Sequence, residues 1–144
     1  MGRPDTGSKV PNDVCGGTGH AMNTVRITCA EAIVRYLIAQ RIDIDGVEVP
    51  LFPGVLGIFG HGNVTSLGHS LEQHRRELPV YRGQNEQGMG LAAAAFAKAS
   101  RRRQILICTS SVGPGATNMV TAAGVAMANR LPVLFISGDT FHSR

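Results

Sequence analysis

Four short apolar runs, each closed by a turn of glycine and small polar residues, dictate what this chain can fold into. They are Val55 to Phe59, Val80-Tyr81, Ile105 to Thr109 and Val133 to Ser137. The turns that follow them are Gly60-His61-Gly62-Asn63, Gly83 to Glu86, Ser110 to Gly115, and Gly138-Asp139. Behind the first three turns lie stretches of helical length: one to about Glu77, one through the alanine-rich segment Met89 to Ala99, one through Asn129. Strands alternating with helices predict an α/β fold, a parallel sheet wound with helices by right-handed crossovers. Every strand-to-helix turn of such a sheet reaches the same edge, and ligands bind there. The opposite turns carry bulk and charge: Arg75-Arg76-Glu77, Arg101-Arg102-Arg103 and Arg130. One edge is built for a ligand and the other for solvent.

Upstream of this repeat, Thr28-Cys29-Ala30-Glu31 reads as a capping box, with Thr28 capping the orphan N–H groups and Glu31 reaching back. The helix it opens carries Ile33, Val34, Leu37 and Ile38 on a packing face and ends near Arg41. Asp45-Gly46, between Ile42-Asp43-Ile44 and Val47-Glu48-Val49, predicts a hairpin closed by Pro50 and Pro53. Residues 1–23 are rich in Gly, Pro, Asp and Thr without periodicity and read as a disordered leader, leaving 24–144 for the folded domain. The leader has neither the apolar centre of a secretory signal nor the arginine-rich pattern of a transit peptide.

Composition narrows the classes. A chain of 144 residues holds one domain with a real core. No apolar run is long enough to cross a bilayer, so no membrane partner is expected. The formal charge is +4, and the Arg101–Arg103 knot has no aromatic neighbours. It reads as a solvated turn, and no nucleic-acid partner is expected. Cys15, Cys29 and Cys108 form no C-x-x-C pair, which fits reduced thiols and a cytoplasmic location. His69 and His74 stand five apart, a poor spacing for a metal, and no metal site is expected within the chain.

Two turns carry candidate chemistry. Glu86 opens the alanine-rich helix after Tyr81-Arg82-Gly83-Gln84-Asn85. Exposed N–H groups and the macrodipole ordinarily explain an acid there. Here Gly83 and Gly88 admit close backbone, and the helix behind is small and apolar. That context puts Glu86 at a buried edge, able to share a proton with a ligand. The second turn, Ser111-Val112-Gly113-Pro114-Gly115-Ala116-Thr117-Asn118, offers a backbone nest for an anion or a flat ring. It lacks the Lys-Ser/Thr ending of a P-loop. Gly113-x-Gly115 with Asp139 downstream partly matches a dinucleotide fingerprint, although Asn118 stands where the third glycine belongs. A nucleotide-binding module therefore stays open. His61 is either a plain polar contact or, on the ligand edge, a proton contact. The smooth stretch Gly90 to Ala95 suits core and subunit interface equally.

Taken in order, Phe59-Gly60-His61-Gly62-Asn63, Asn85-Glu86-Gln87-Gly88 and Ser111 to Asn118 resemble the pyrimidine-binding (PYR) domain of thiamine-diphosphate enzymes, the acetohydroxyacid synthase-like superfamily. The likeness covers about residues 24–144. Within that superfamily, Phe59 to Thr65, Tyr81 to Gln87, Arg101 to Gln104, Asn129 to Val133 and Ser137 to Phe141 are similar to the hydrolases that open a cyclic trihydroxy-dione in myo-inositol catabolism. The synthases have a His before the acid, where this chain has Asn85.

The resemblance implies that Glu86 hydrogen-bonds the pyrimidine of thiamine diphosphate and favours its imino tautomer. His61 would make a substrate-side proton contact. Gly60, Gly62, Asn63, Gly113, Pro114, Gly115 and Asn118 would shape the cofactor site, and Gln87 would face the substrate with His61. The reaction implied is hydrolysis of a C–C bond of the cyclic dione to 5-deoxy-glucuronate, and the alternative is another carboligase or decarboxylase of the superfamily. The diphosphate and Mg2+ would be held by a C-terminal domain through a Gly-Asp-Gly…Asn motif, which Gly138-Asp139-Thr140 does not match. The resemblance thus describes a C-terminally incomplete PYR domain, inactive alone, from a homodimer or higher oligomer.

Overall fold

The computed structural model describes residues 24–140. The expected leader, 1–23, and Phe141 lie outside them. Helix α1 (Cys29–Ala39) is followed by a hairpin of β1 (Arg41–Ile44) and β2 (Val47–Pro50). Strand β3 (Val55–Gly57) leads through a π-helical turn (Val64–Gly68) into α2 (His69–Gln73). Then come β4 (Val80–Tyr81), α3 (Glu86–Ala99), β5 (Ile107–Ser110), α4 (Pro114–Asn118), α5 (Val120–Ala128) and β6 (Leu134–Ser137).

The wound parallel sheet is present, with strand order β4-β3-β5-β6. From β3 the chain first steps outward to β4, then crosses back over β3 to β5 and continues to β6. The reversal of direction comes with a change of face, as right-handed crossovers require. Side chains alternate across the strands to match. Val55, Ile107, Leu134 and Ile136 pack with Val34, Leu37, Leu67 and Leu71 of α1, the π-turn and α2. Leu56, Cys108 and Phe135 pack with Met89, Ala93 and Met119 on the α3–α5 side. Central β5 is buried at all four positions, as a strand covered on both faces must be. Leu71 and Leu78 are fully buried, and each contributes about 1.5–3 kcal/mol by leaving water.

Several boundaries differ from the sequence reading. Strand β3 stops at Gly57 and β5 runs to Ser110, where the residue patterns favoured Phe59 and Thr109. The first crossover is two short pieces, because Gly68 N–H donates to Asn63 O, five residues back, at 2.9 Å. The last crossover breaks at Met119, whose N–H bonds Ala116 O three residues back, so that α4 and α5 are separate. The hairpin is as expected: Asp45 and Gly46 both have positive φ, as a two-residue turn of the twisted kind demands.

Helix α1 holds a larger correction. Thr28 Oγ1 accepts from Glu31 N–H at 3.1 Å, but Glu31 does not reach back to complete the box. Its Oε1 instead accepts from Arg35 Nε at 2.6 Å and lies 3.0 Å from His74 Nε2. Ile33 turns outward beside Tyr36, while Val34 and Leu37 fill the core. The other ring nitrogen of His74, Nδ1, lies 3.0 Å from Glu77 Oε2. A neutral imidazole has one N–H, so two carboxylate neighbours fit the imidazolium alone. The bonds to Glu77 and then Glu31 accordingly raise the pKa of His74, and His74 and then Arg35 lower that of Glu31. A group raised on folding contributes stability that is complete below its unfolded value, near 6.5, and is lost as pH climbs through the folded value. The melting temperature is therefore expected to fall as pH rises above that range, and His74→Gln should flatten the dependence, read by circular dichroism across pH 6 to 9.

The arginine knot does more than meet solvent. Arg102 donates from Nε to Arg130 O at 3.0 Å and so caps the end of α5, while Arg103 Nη1 pairs with Asp45 Oδ2 at 3.0 Å.

Candidate functional site

Helix α3 begins where it does because Asn85 caps it: Oδ1 accepts from Gly88 N–H at 2.7 Å. A cap of this kind contributes about 1 kcal/mol. The residue that departs from the synthases' His thus has a structural task, fixing the point at which Glu86 enters the helix. Glu86 is half-buried at that edge, and its side chain opens onto a cleft.

That cleft, of about 710 Å3, is lined by Glu86, Ser111, Pro114, Gly115, Thr117 and Asn118. It sits on the edge where the strand-to-helix turns gather, between the turn after β4 and the turn after β5. Gly113 takes φ +67 and leads into Pro114 at the first position of α4, so the turn is tight and its helix starts abruptly. Gly115 is buried against the acid. A Cβ there would lie 2.9 Å from Glu86 Oε1 and 2.7 Å from Ser111 Oγ. Across 32 residues of sequence, Asn118 Nδ2 donates to Glu86 Oε2 at 3.0 Å. Among the described residues, no donor reaches Oε1. The arrangement is a carboxyl on the cleft wall, with one oxygen held by an amide and the other set against the Gly115 backbone.

The turn after β3 stands behind this wall rather than in it. Gly60 presses on Ser111, with an added Cβ only 2.5 Å from Ser111 Cβ. Gly62 takes φ +87. Asn63 is buried: Oδ1 accepts from Gly60 N–H at 3.1 Å and Nδ2 donates to Ser110 O at 2.8 Å. His61 is exposed and does not line the cleft, and Gln87 is half-buried on the first turn of α3. Of the residues expected at a ligand site, Glu86, Pro114, Gly115 and Asn118 are brought together in the cleft wall, with Gly113 adjoining. Gly60 and Asn63 support it from behind, while Gly62 packs against the Asp139 backbone. Ser111 and Thr117 line it as well, although neither stood among the candidates; their place in the glycine-proline-glycine turn was the available signal.

Among the described residues, no three His, Cys, Asp or Glu side chains converge to hold a metal ion, and no helix is long and apolar enough to cross a membrane. Cys108 is buried in β5, and burial pushes its thiol up to about 12, which keeps it protonated.

Residues 52–144 match the family described as thiamine pyrophosphate enzyme, N-terminal TPP binding domain. The chain is also 54% identical over 123 residues to a 3D-(3,5/4)-trihydroxycyclohexane-1,2-dione hydrolase of Clostridium tetani, covering 85% of this chain and 19% of the relative. A Bacillus cereus protein named 3D-(3,5/4)-trihydroxycyclohexane-1,2-dione hydrolase 2 matches at 54%, and the Bacillus thuringiensis hydrolase at 53%, with the same coverage. The chain spans about a fifth of the length of these curated relatives.

Proposed function

The chain belongs to the thiamine pyrophosphate (thiamine diphosphate) enzymes, as their N-terminal TPP binding domain, and from that membership we propose that it forms the pyrimidine side of the cofactor site in a longer hydrolase. The proposed reaction opens the ring of 3D-(3,5/4)-trihydroxycyclohexane-1,2-dione at a C–C bond to give 5-deoxy-glucuronate, in myo-inositol catabolism. The observation that carries the reading is Glu86 on the cleft wall, with Oε2 held by Asn118 and Oε1 without a donor among the described residues.

The residues present fit the pyrimidine end of the cofactor. Glu86 would meet the ring with its carboxyl on the cleft wall, where Gly115, lacking a Cβ, lets the acid lie close against the turn. Pro114 and Ser111 would bound the ring. When bound, thiamine diphosphate supplies a nucleophilic carbon for breaking a bond beside a carbonyl. Glu86 would hold or release a proton at Oε1 to set the protonation of that ring. Exposed His61 would make a substrate-side proton contact and Gln87 would shape the same region. The diphosphate and its Mg2+ would be held by a further domain of the longer protein, from a second subunit of a homodimer or larger assembly in the cytoplasm.

The test is substrate choice. The full-length protein with thiamine diphosphate and Mg2+ is expected to consume the cyclic dione and to leave pyruvate unchanged, followed by mass spectrometry of the open-chain acid. Turnover of pyruvate in preference to the dione would make it a carboligase or decarboxylase instead. Tight binding of thiamine diphosphate by the 144-residue chain alone would show that no second domain is needed.

A further inference from the structure

Resting on the reading of Glu86 as the acid that faces the ring, we propose that Asn118 is the positioning residue for that acid. Its side-chain amide holds Oε2 in both protonation states and so fixes how the carboxyl presents Oε1.

The geometry is specific. Asn118 is the last residue of α4, and the helix breaks directly after it at Met119. Thr117, beside it, turns its hydroxyl back onto Pro114 O. Asn118 instead reaches across to the other crossover helix and meets Glu86 Oε2 at 3.0 Å. No other titratable side chain lines the cleft, so the amide is the acid's one side-chain partner among the described residues. An ionised carboxylate only accepts, and Nδ2–H supplies the donor. A carboxyl protonated on Oε1 keeps Oε2 as its carbonyl oxygen, which still accepts from the same Nδ2–H, so the contact survives without any turn of the amide. A Lys or Arg here would match the carboxylate alone and hold it charged. An Asp would force the two acids to share one proton. The neutral amide does neither. The proton can come and go while the carboxyl plane stays fixed, which a group that trades a proton with a bound ring requires.

Two measurements decide it. In the 15N-labelled chain, the side-chain amide resonances of Asn118 are expected to move with pH and to remain sharp at both ends. In Glu86→Gln they should stay still. In the full-length protein, Asn118→Ala is expected to lower kcat roughly ten- to a hundredfold with KM little changed. Asn118→Asp should displace the acidic limb of the pH–rate profile upward, since the paired acids then share a proton. An amide resonance insensitive to pH, or an Asn118→Ala enzyme with unchanged kcat and pH profile, overturns the proposal. The resonance test involves no cofactor, so its failure would leave the reading of Glu86 standing. A fully active Glu86→Gln enzyme would remove that reading without touching the amide result.

Discussion

Glu86→Gln in the full-length protein is expected to lower kcat by about two to four orders of magnitude, the loss typical of removing a positioned proton-transfer group. The substitution is nearly isosteric. The new side-chain carbonyl can still accept from Asn118 Nδ2, so the contact that ties α3 to α4 survives. What changes is the oxygen over Gly115, which becomes an amide nitrogen with no acidic proton to exchange. Stability should therefore stay within about 1 kcal/mol of the parent, because packing and cap are undisturbed and only the charge favoured at the helix start is lost. Separating the two readouts is the purpose of the variant: a folded protein with the cleft intact and the chemistry absent. Steady-state kinetics beside a thermal melt measures both. Retention of activity within a fewfold would mean that the acid does not touch the reacting system.

Gly90→Val is expected to destabilise the chain by about 3 kcal/mol or more, with Gly90→Ala costing less. Two effects compete at this position. Gly in a helix interior is intrinsically about 1 kcal/mol worse than Ala, so helix propensity alone favours the substitution. Packing opposes it: a Cβ at Gly90 would sit 2.5 Å from Ala122 Cβ and 3.1 Å from Phe135 Cε1. Ala122 is bound rigidly to the α5 backbone and cannot swing away, so α3 and α5 must separate. Overpacking of this kind costs about 1–3 kcal/mol for one added carbon, enough to outweigh the propensity gain. Gly124 is the built-in control. Nothing lies within 4 Å of a Cβ there, so Gly124→Ala should stabilise by about 0.5–1 kcal/mol. Urea unfolding of the three variants would show opposite signs for two glycines in one helix pair, and equal effects would refute the packing account.

How far the sequence carried this structure depends on whether the deciding contacts were local. The alternation of apolar runs with glycine turns is local, and it was enough for the parallel sheet and the edge that gathers Glu86 and Ser111 to Asn118. The Asp45-Gly46 hairpin was legible for the same reason, since positive φ at two adjacent residues is a property of those residues. The π-turn at Val64–Gly68 and the break at Met119 were not, because each follows from where the helix must lie on the sheet. Glu31 looked like half of a capping box only while His74, 43 positions away, was out of view. The pairing of Glu86 with Asn118 belongs to the same class: both residues stood out, but no spacing rule joins two helices across a sheet edge. His61 lies on the edge the sequence pointed to, but its turn stands behind the cleft wall, a placement that depends on how the β3 and β5 turns pack.

Asn63 carries one last implication. Because a single amide grips Gly60 at one end and the terminus of β5 at the other, the loops beyond those two strands cannot shift independently. The segment bearing His61 is thereby tied to the strand end that leads into the cleft wall at Ser111, a cavity the imidazole does not border.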